Sequence, residues 1–163
     1  MSESKTGLRE SLELAIYREI GARDFYGAIA GKIVNPEGRE RFMRLSSDEE
    51  GHRAKLVSWR ERLFGGAFVT DPAKLRETEI RGFEVDAMTG AMSALDIAID
   101  AESRAADFYS ERAAEASDGE LKSLFMNLAE EEKGHYNLLQ AEKNQLMGGF
   151  YWFDMDSSSF MEE

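Results

Sequence analysis

Two short strings, Glu49-Glu50-Gly51-His52 and Glu132-Lys133-Gly134-His135, each set a carboxylate three residues before an imidazole. On a helix that spacing puts both side chains on one face. Carboxylate oxygen with imidazole nitrogen suits iron, manganese or zinc. These strings hold both histidines of the chain. Upstream of each, at the same separation, stands a further glutamate, Glu19 in one case and Glu102 in the other. One Glu-x-x-His is a weak signal, because helices are rich in glutamate. Two copies, each with its own upstream glutamate, are a strong one.

The elements that must position these residues come in duplicate. Shifted by 83 residues, Leu12 to Gly66 lies on Leu95 to Gly149 without a gap, with 20 identities in 55 positions. Glu19 falls on Glu102, Phe25-Tyr26 on Phe108-Tyr109, Phe42-Met43 on Phe125-Met126 and Gly65-Gly66 on Gly148-Gly149. The composition favours helix: Ala, Leu, Glu, Lys and Arg are plentiful and there are two prolines in 163 residues. Breakers and caps predict helices over about residues 8–33, 37–64, 89–116 and 118–146. Asn35-Pro36 reads as an N-cap followed by proline at the first helical position. Gly65-Gly66 reads as a C-cap. Ser117-Asp118-Gly119-Glu120 has the spacing of a capping box.

Short connections within each half and a long one between them, residues 67–87, predict two helical hairpins joined by a crossover. Asp71-Pro72 within it reads as a turn. The expected fold is an all-α four-helix bundle in a single domain, residues 1–163. A tail, residues 150–163, carries Phe150, Tyr151, Trp152, Phe153, Phe160 and Met161 and needs apolar cover.

The apolar stripes at four-three spacing include the charged residues. The first helix gives Leu8, Leu12, Ala15, Glu19, Ala22, Tyr26, Ile29 and Ile33, and the second Phe42, Leu45, Glu49, His52, Leu56, Trp59 and Leu63. The third gives Ala91, Leu95, Ala98, Glu102, Ala105 and Tyr109, and the fourth Phe125, Leu128, Glu132, His135 and Leu139. A buried unpaired carboxylate costs several kcal/mol. No lysine or arginine occupies the matching central positions. Two divalent cations would cancel four carboxylate charges, as in di-iron carboxylate bundles. The competing reading is that each Glu and His pair only with each other, or persist from the duplication without a role.

The pattern resembles the ferritin-like superfamily, most closely the di-iron domain of the rubrerythrin family. The resemblance spans Leu8 to Leu146 and rests on Glu19, Glu49 to His52, Glu102, Glu132 to His135, and the tyrosines seven residues after Glu19 and Glu102. It implies two iron ions, bridged by Glu49 and Glu132, with Glu19 and Glu102 as terminal ligands and one histidine on each metal. Catalysis would run through these six residues. Manganese or zinc would also fit. Two departures stand out. There is no cysteine, hence no rubredoxin-like domain, and electrons must come from an external donor or from Fe(II) itself. The extra glutamate that rubrerythrins carry three residues after Glu102 is Ala105 here, which resembles the symmetric centre of bacterioferritin-like proteins.

Tyr26 and Tyr109 are expected to hydrogen-bond ligand carboxylates, as groups around a metal site do. Asp24 and Asp107 read as surface ion-pairing residues. Asp48, Glu50, Glu130 and Glu131 read as solvated, with the option that one orients a histidine. The absence of cysteine excludes iron–sulfur clusters, and no methionine stands out as a haem ligand.

A net charge of −12 argues against nucleic acid. No apolar run reaches the roughly 20 residues of a membrane span, and the first residues lack a signal-peptide pattern. A cytoplasmic homodimer is expected. The expected activity is oxidation of Fe(II) or reduction of O2 or peroxide, of ferroxidase or peroxidase type. The alternatives are a non-catalytic metal-binding protein and an iron-storage protein.

Overall fold

The computed structural model describes residues 4–80 and 87–147, with 87–90 as backbone alone. Five helices follow in order: α1 Lys5–Lys32, α2 Pro36–Phe64, α3 Pro72–Thr78, α4 Ala87–Glu115 and α5 Gly119–Met147. The expected tail, 150–163, and crossover residues 81–86 lie outside the described residues. The chain divides into two compact units. One contains α1 to residue 30, α2 from residue 41 and the segment with α3; the other contains α4 and α5 together with residues 31–40.

Local chemistry sets the helix ends. Ser4 Oγ accepts from Gly7 N at 3.1 Å and opens α1. Asn35 Oδ1 accepts from Glu37 N and Gly38 N at 2.9 and 3.1 Å, which satisfies two donors that a helix start leaves over. The Arg39 guanidinium donates twice to Ile33 O, just past the end of α1, at 3.0 and 2.9 Å. Gly65 and Gly66 hold φ of +73° and +69° and end α2 in the left-handed region. Buried Arg60 closes that turn, donating to Gly65 O at 2.9 Å, Gly66 O at 3.1 Å and Glu13 Oε1 at 3.1 Å. The cap of α5 is Asp118, not the expected Ser117: Asp118 Oδ1 accepts from Leu121 N at 2.9 Å. The repeat already pointed there, because Asp118 is the counterpart of Asn35.

The crossover is more ordered than a turn. Asp71 accepts from Ala73 N at 2.9 Å and Pro72 takes the first position of α3. Asp71 N donates to the Tyr17 hydroxyl at 2.7 Å, tying the segment to α1. Where α3 ends, the backbone rests on Gly21. A Cβ there would stand 2.5 Å from Thr78 O, a backbone atom. Gly21→Ala is therefore expected to push the segment off α1 and to destabilise the fold by about 1–3 kcal/mol. A denaturant melt checks it; an unchanged midpoint would mean that the segment yields without cost.

The apolar stripes are buried as spaced in the sequence, with two kinds of exception. Leu8, Ala22, Trp59 and Ala105 are only half-buried. Leu63 is 44% exposed, because the last turn of α2 outruns its cover. Met43 and Met126, repeat counterparts, are exposed and do not fill a core. In one unit Tyr26 packs on Phe42 with ring centroids 6.1 Å apart; in the other Tyr109 stacks on Phe125 at 6.2 Å. Each such fully buried side chain contributes about 1.5–3 kcal/mol.

Candidate metal centre

Glu19 stands near the middle of α1, and Glu49 and His52 near the middle of α2. All three are buried, and each offers a ligand atom within 4.8 Å of the others. His52 Nδ1 lies 3.0 Å from Glu49 Oε2 and 3.6 Å from Glu19 Oε2. The second unit repeats the arrangement. Glu102 on α4 and Glu132 and His135 on α5 are buried, with ligand atoms again within 4.8 Å of one another. His135 Nδ1 lies 3.1 Å from Glu132 Oε2 and 3.7 Å from Glu102 Oε1.

In both sets the same imidazole nitrogen faces two carboxylates. The shorter approach is a hydrogen-bond distance and the longer one is not. Within each set a single imidazole nitrogen is thus shared between two carboxylates. Even a protonated imidazole would leave each set one negative charge in excess. A divalent cation cancels two carboxylate charges, and the donors are of the kind that iron, manganese and zinc accept. The residues fit a metal.

Tyr26 and Tyr109 are buried on the same helices, α1 and α4, as Glu19 and Glu102. Glu50, with 42% of its side chain exposed, is also ion-paired. Its carboxylate takes two bonds from Arg53, at 2.8 and 2.6 Å, and one from Arg23 at 2.7 Å. The hydrogen bonds from Arg53 lead, and with Arg23 they hold its pKa down at about 2. Asp24 pairs with Arg23 at the surface, at 3.0 Å. Glu130 pairs with Lys133 at 2.9 Å. Glu142 went unnoticed in the sequence and is buried on α5. The signal was present: Glu132, His135, Leu139, Glu142 and Leu146 continue one four-three stripe.

The rubrerythrin family model matches residues 10–143, which includes all six candidate ligands. The chain belongs to the rubrerythrin family. Among solved structures it is similar to a hypothetical protein from Pyrococcus furiosus, 32% identical, with a TM-score of 0.77 over 87% of this chain and 91% of that one. It also shares its fold with a bacterioferritin-related dodecameric thioferritin from Bacteroides fragilis, 19% identical, with a TM-score of 0.77 over 96% and 92%. No curated protein matches the chain. The fold of this rubrerythrin-family chain is all-α and ferritin-like. No helix among its described residues is long and apolar enough to cross a membrane.

Proposed function

We propose that the two sets of ligands act together as a di-iron site and that the protein oxidises Fe(II) with O2 or peroxide as acceptor. The observation that carries this is the duplication of one buried Glu, Glu, His set in both halves of a rubrerythrin-family chain. Glu49 and Glu132 would bridge the ions, Glu19 and Glu102 would be terminal ligands, and His52 and His135 would each hold one ion. When bound, an iron pair supplies two electrons to the acceptor at one place.

The chain's own residues do the rest. Four carboxylates would balance the charge of two divalent cations, and their oxygen donors with imidazole suit iron. The apolar stripes around them keep water from the site, which strengthens every charge interaction there. Tyr26 and Tyr109 would hydrogen-bond ligand carboxylates and fix their orientation. Electrons beyond those of Fe(II) itself would come from an external donor, since the chain has no cysteine with which to hold a second iron centre of thiolate type. A cytoplasmic setting is consistent with this use of Fe(II).

The test is an anaerobic titration of metal-free protein with Fe(II), followed by air. Two ions taken up per chain and a new near-ultraviolet absorption on admission of air are the expected result. One ion or none, with oxidation no faster than in buffer, overturns the proposal.

Iron storage is the second reading, and it is prompted by the named assembly of the thioferritin that shares the fold. Storage needs a closed shell of many subunits. Light scattering separates a dimer, which cannot enclose a mineral, from a dodecamer, which can.

A further inference from the structure

The two half-sites are alike in their ligands and unlike in what surrounds them. In the first, α1 and α2 are cross-linked at the level of the ligands. Arg23, one turn after Glu19, donates to Glu50 Oε2 at 2.7 Å, and Glu50 directly follows Glu49. Arg53, which directly follows His52, grips both oxygens of the same carboxylate at 2.8 and 2.6 Å. Ser46 Oγ, one turn before Glu49, donates to the carbonyl of Arg23 at 2.9 Å. The backbone of α1 and the side chains of α2 are thus held in one register beside Glu19, Glu49 and His52.

The second half-site cannot repeat this. The 83-residue shift puts Ala106 in place of Arg23, Ala129 in place of Ser46, Lys133 in place of Glu50 and Tyr136 in place of Arg53. Lys133 pairs with Glu130 on its own helix, at 2.9 Å. An ion pair that joins α4 to α5, Lys143 Nζ to Asp96 Oδ1 at 2.5 Å, lies about two turns beyond His135. The histidines also differ in access. The His52 side chain is 1% exposed and that of His135 is 11% exposed.

Ligands held in place before a metal arrives lose less freedom on binding it, and such preorganisation raises affinity. Groups that hydrogen-bond a ligand change metal affinity by 10- to 100-fold when removed; the clasp acts one step further out, through the helix backbone that carries the ligands, so the lower end of that range is expected. We infer that the half-sites are unequal: Arg23, Ser46, Glu50 and Arg53 are positioning residues that make the α1·α2 half-site take the first divalent ion, while the α4·α5 half-site takes the second and exchanges it with solvent. This rests on the di-metal reading above. A rigid first ion would then serve as the fixed member of the pair, and the ion on His135 would be the one replaced between turnovers.

Zinc is the probe, because it is redox-inert and diamagnetic, and the readout is NMR of 15N-histidine-labelled protein. The chain holds two histidines, so the spectrum has two imidazole sets, assigned with His135→Ala. At one Zn(II) per chain the His52 nitrogens are expected to shift fully while those of His135 stay at their metal-free positions; the second equivalent shifts His135. Glu50→Gln, and separately Ser46→Ala, are expected to weaken the first step about 10-fold, so that both sets shift together. A merely structural role for the clasp would leave the filling order intact. Parallel shifts in the unaltered protein, His135 shifting first, or an unchanged order in both variants would overturn the inference. Neither set shifting would instead overturn the metal reading on which it rests.

Discussion

Glu49→Gln with Glu132→Gln is expected to abolish metal uptake and, at the same time, to raise the melting temperature of the metal-free protein. Both glutamates are buried with about 1% of their surface exposed. Glutamine keeps the volume and the hydrogen-bonding oxygen but removes the charge. Both glutamates are proposed ligands, and loss of a mere outer partner already costs 10–100-fold in affinity; the double change should exceed about 100-fold. Stability moves the other way because each buried carboxylate costs several kcal/mol, and one imidazole beside it offsets that only in part. A gain of about 2 kcal/mol corresponds to roughly 5 °C in a chain of this size. Calorimetry of metal-free samples reads the second effect and an Fe(II) titration the first. If the double variant melted lower, the glutamates would be stabilising the fold through their histidines, and the pairing account of these residues would win over the metal account.

Phe125→Ala is expected to cost about 3–5 kcal/mol, the range for a large aromatic removed from a closed interior, and to lower the melting temperature by roughly 10 °C. Phe125 is fully buried and carries the Tyr109 ring on its face, with centroids 6.2 Å apart. Its repeat counterpart Phe42 supports Tyr26 at 6.1 Å, so Phe42→Ala should cost a similar amount. Thermal melts followed by circular dichroism measure both. A loss under about 1 kcal/mol would mean that the tyrosine swings into the vacated volume, and the tyrosine would then no longer be held for hydrogen bonding near the site. A further comparison separates packing from positioning: Tyr109→Phe keeps the ring stack and should retain most of the stability.

The mixture of symmetry and asymmetry bears on how such a protein is put together. Duplication supplies two equivalent sets of ligands, because each hairpin carries one Glu on its first helix and a Glu and a His on its second. Divergence then acts on residues that neighbour those ligands in the chain without belonging to them. Glu50 became one arm of a clasp, whereas its counterpart Lys133 pairs along its own helix.

The sequence by itself determined the four long helices, the repeat and the candidate ligands, but not the short helix α3. The reason is that these depend on local spacing. A charged residue in an apolar stripe at four-three spacing is visible without coordinates, and so are Asn35 before Pro36 and the paired glycines at 65 and 66. Burial of Glu19, Glu49, His52, Glu102, Glu132 and His135 follows from the same periodicity. Even the true cap of α5, Asp118, was legible once it was set against Asn35. The tertiary structure alone decided what depends on a neighbour distant in the chain. The ion pair of Glu50 is invisible until Arg23, 27 residues earlier, is brought beside it. Arg60 looks like an exposed charge until Glu13 and two glycine carbonyls surround it. Gly21 has no visible purpose until the backbone at Thr78 arrives against it. Leu63 has the spacing of a core residue, yet in the last turn of its helix it is 44% exposed. Periodicity reports which face of a helix turns inward; only packing decides how far along that face the cover extends and which charges meet across it.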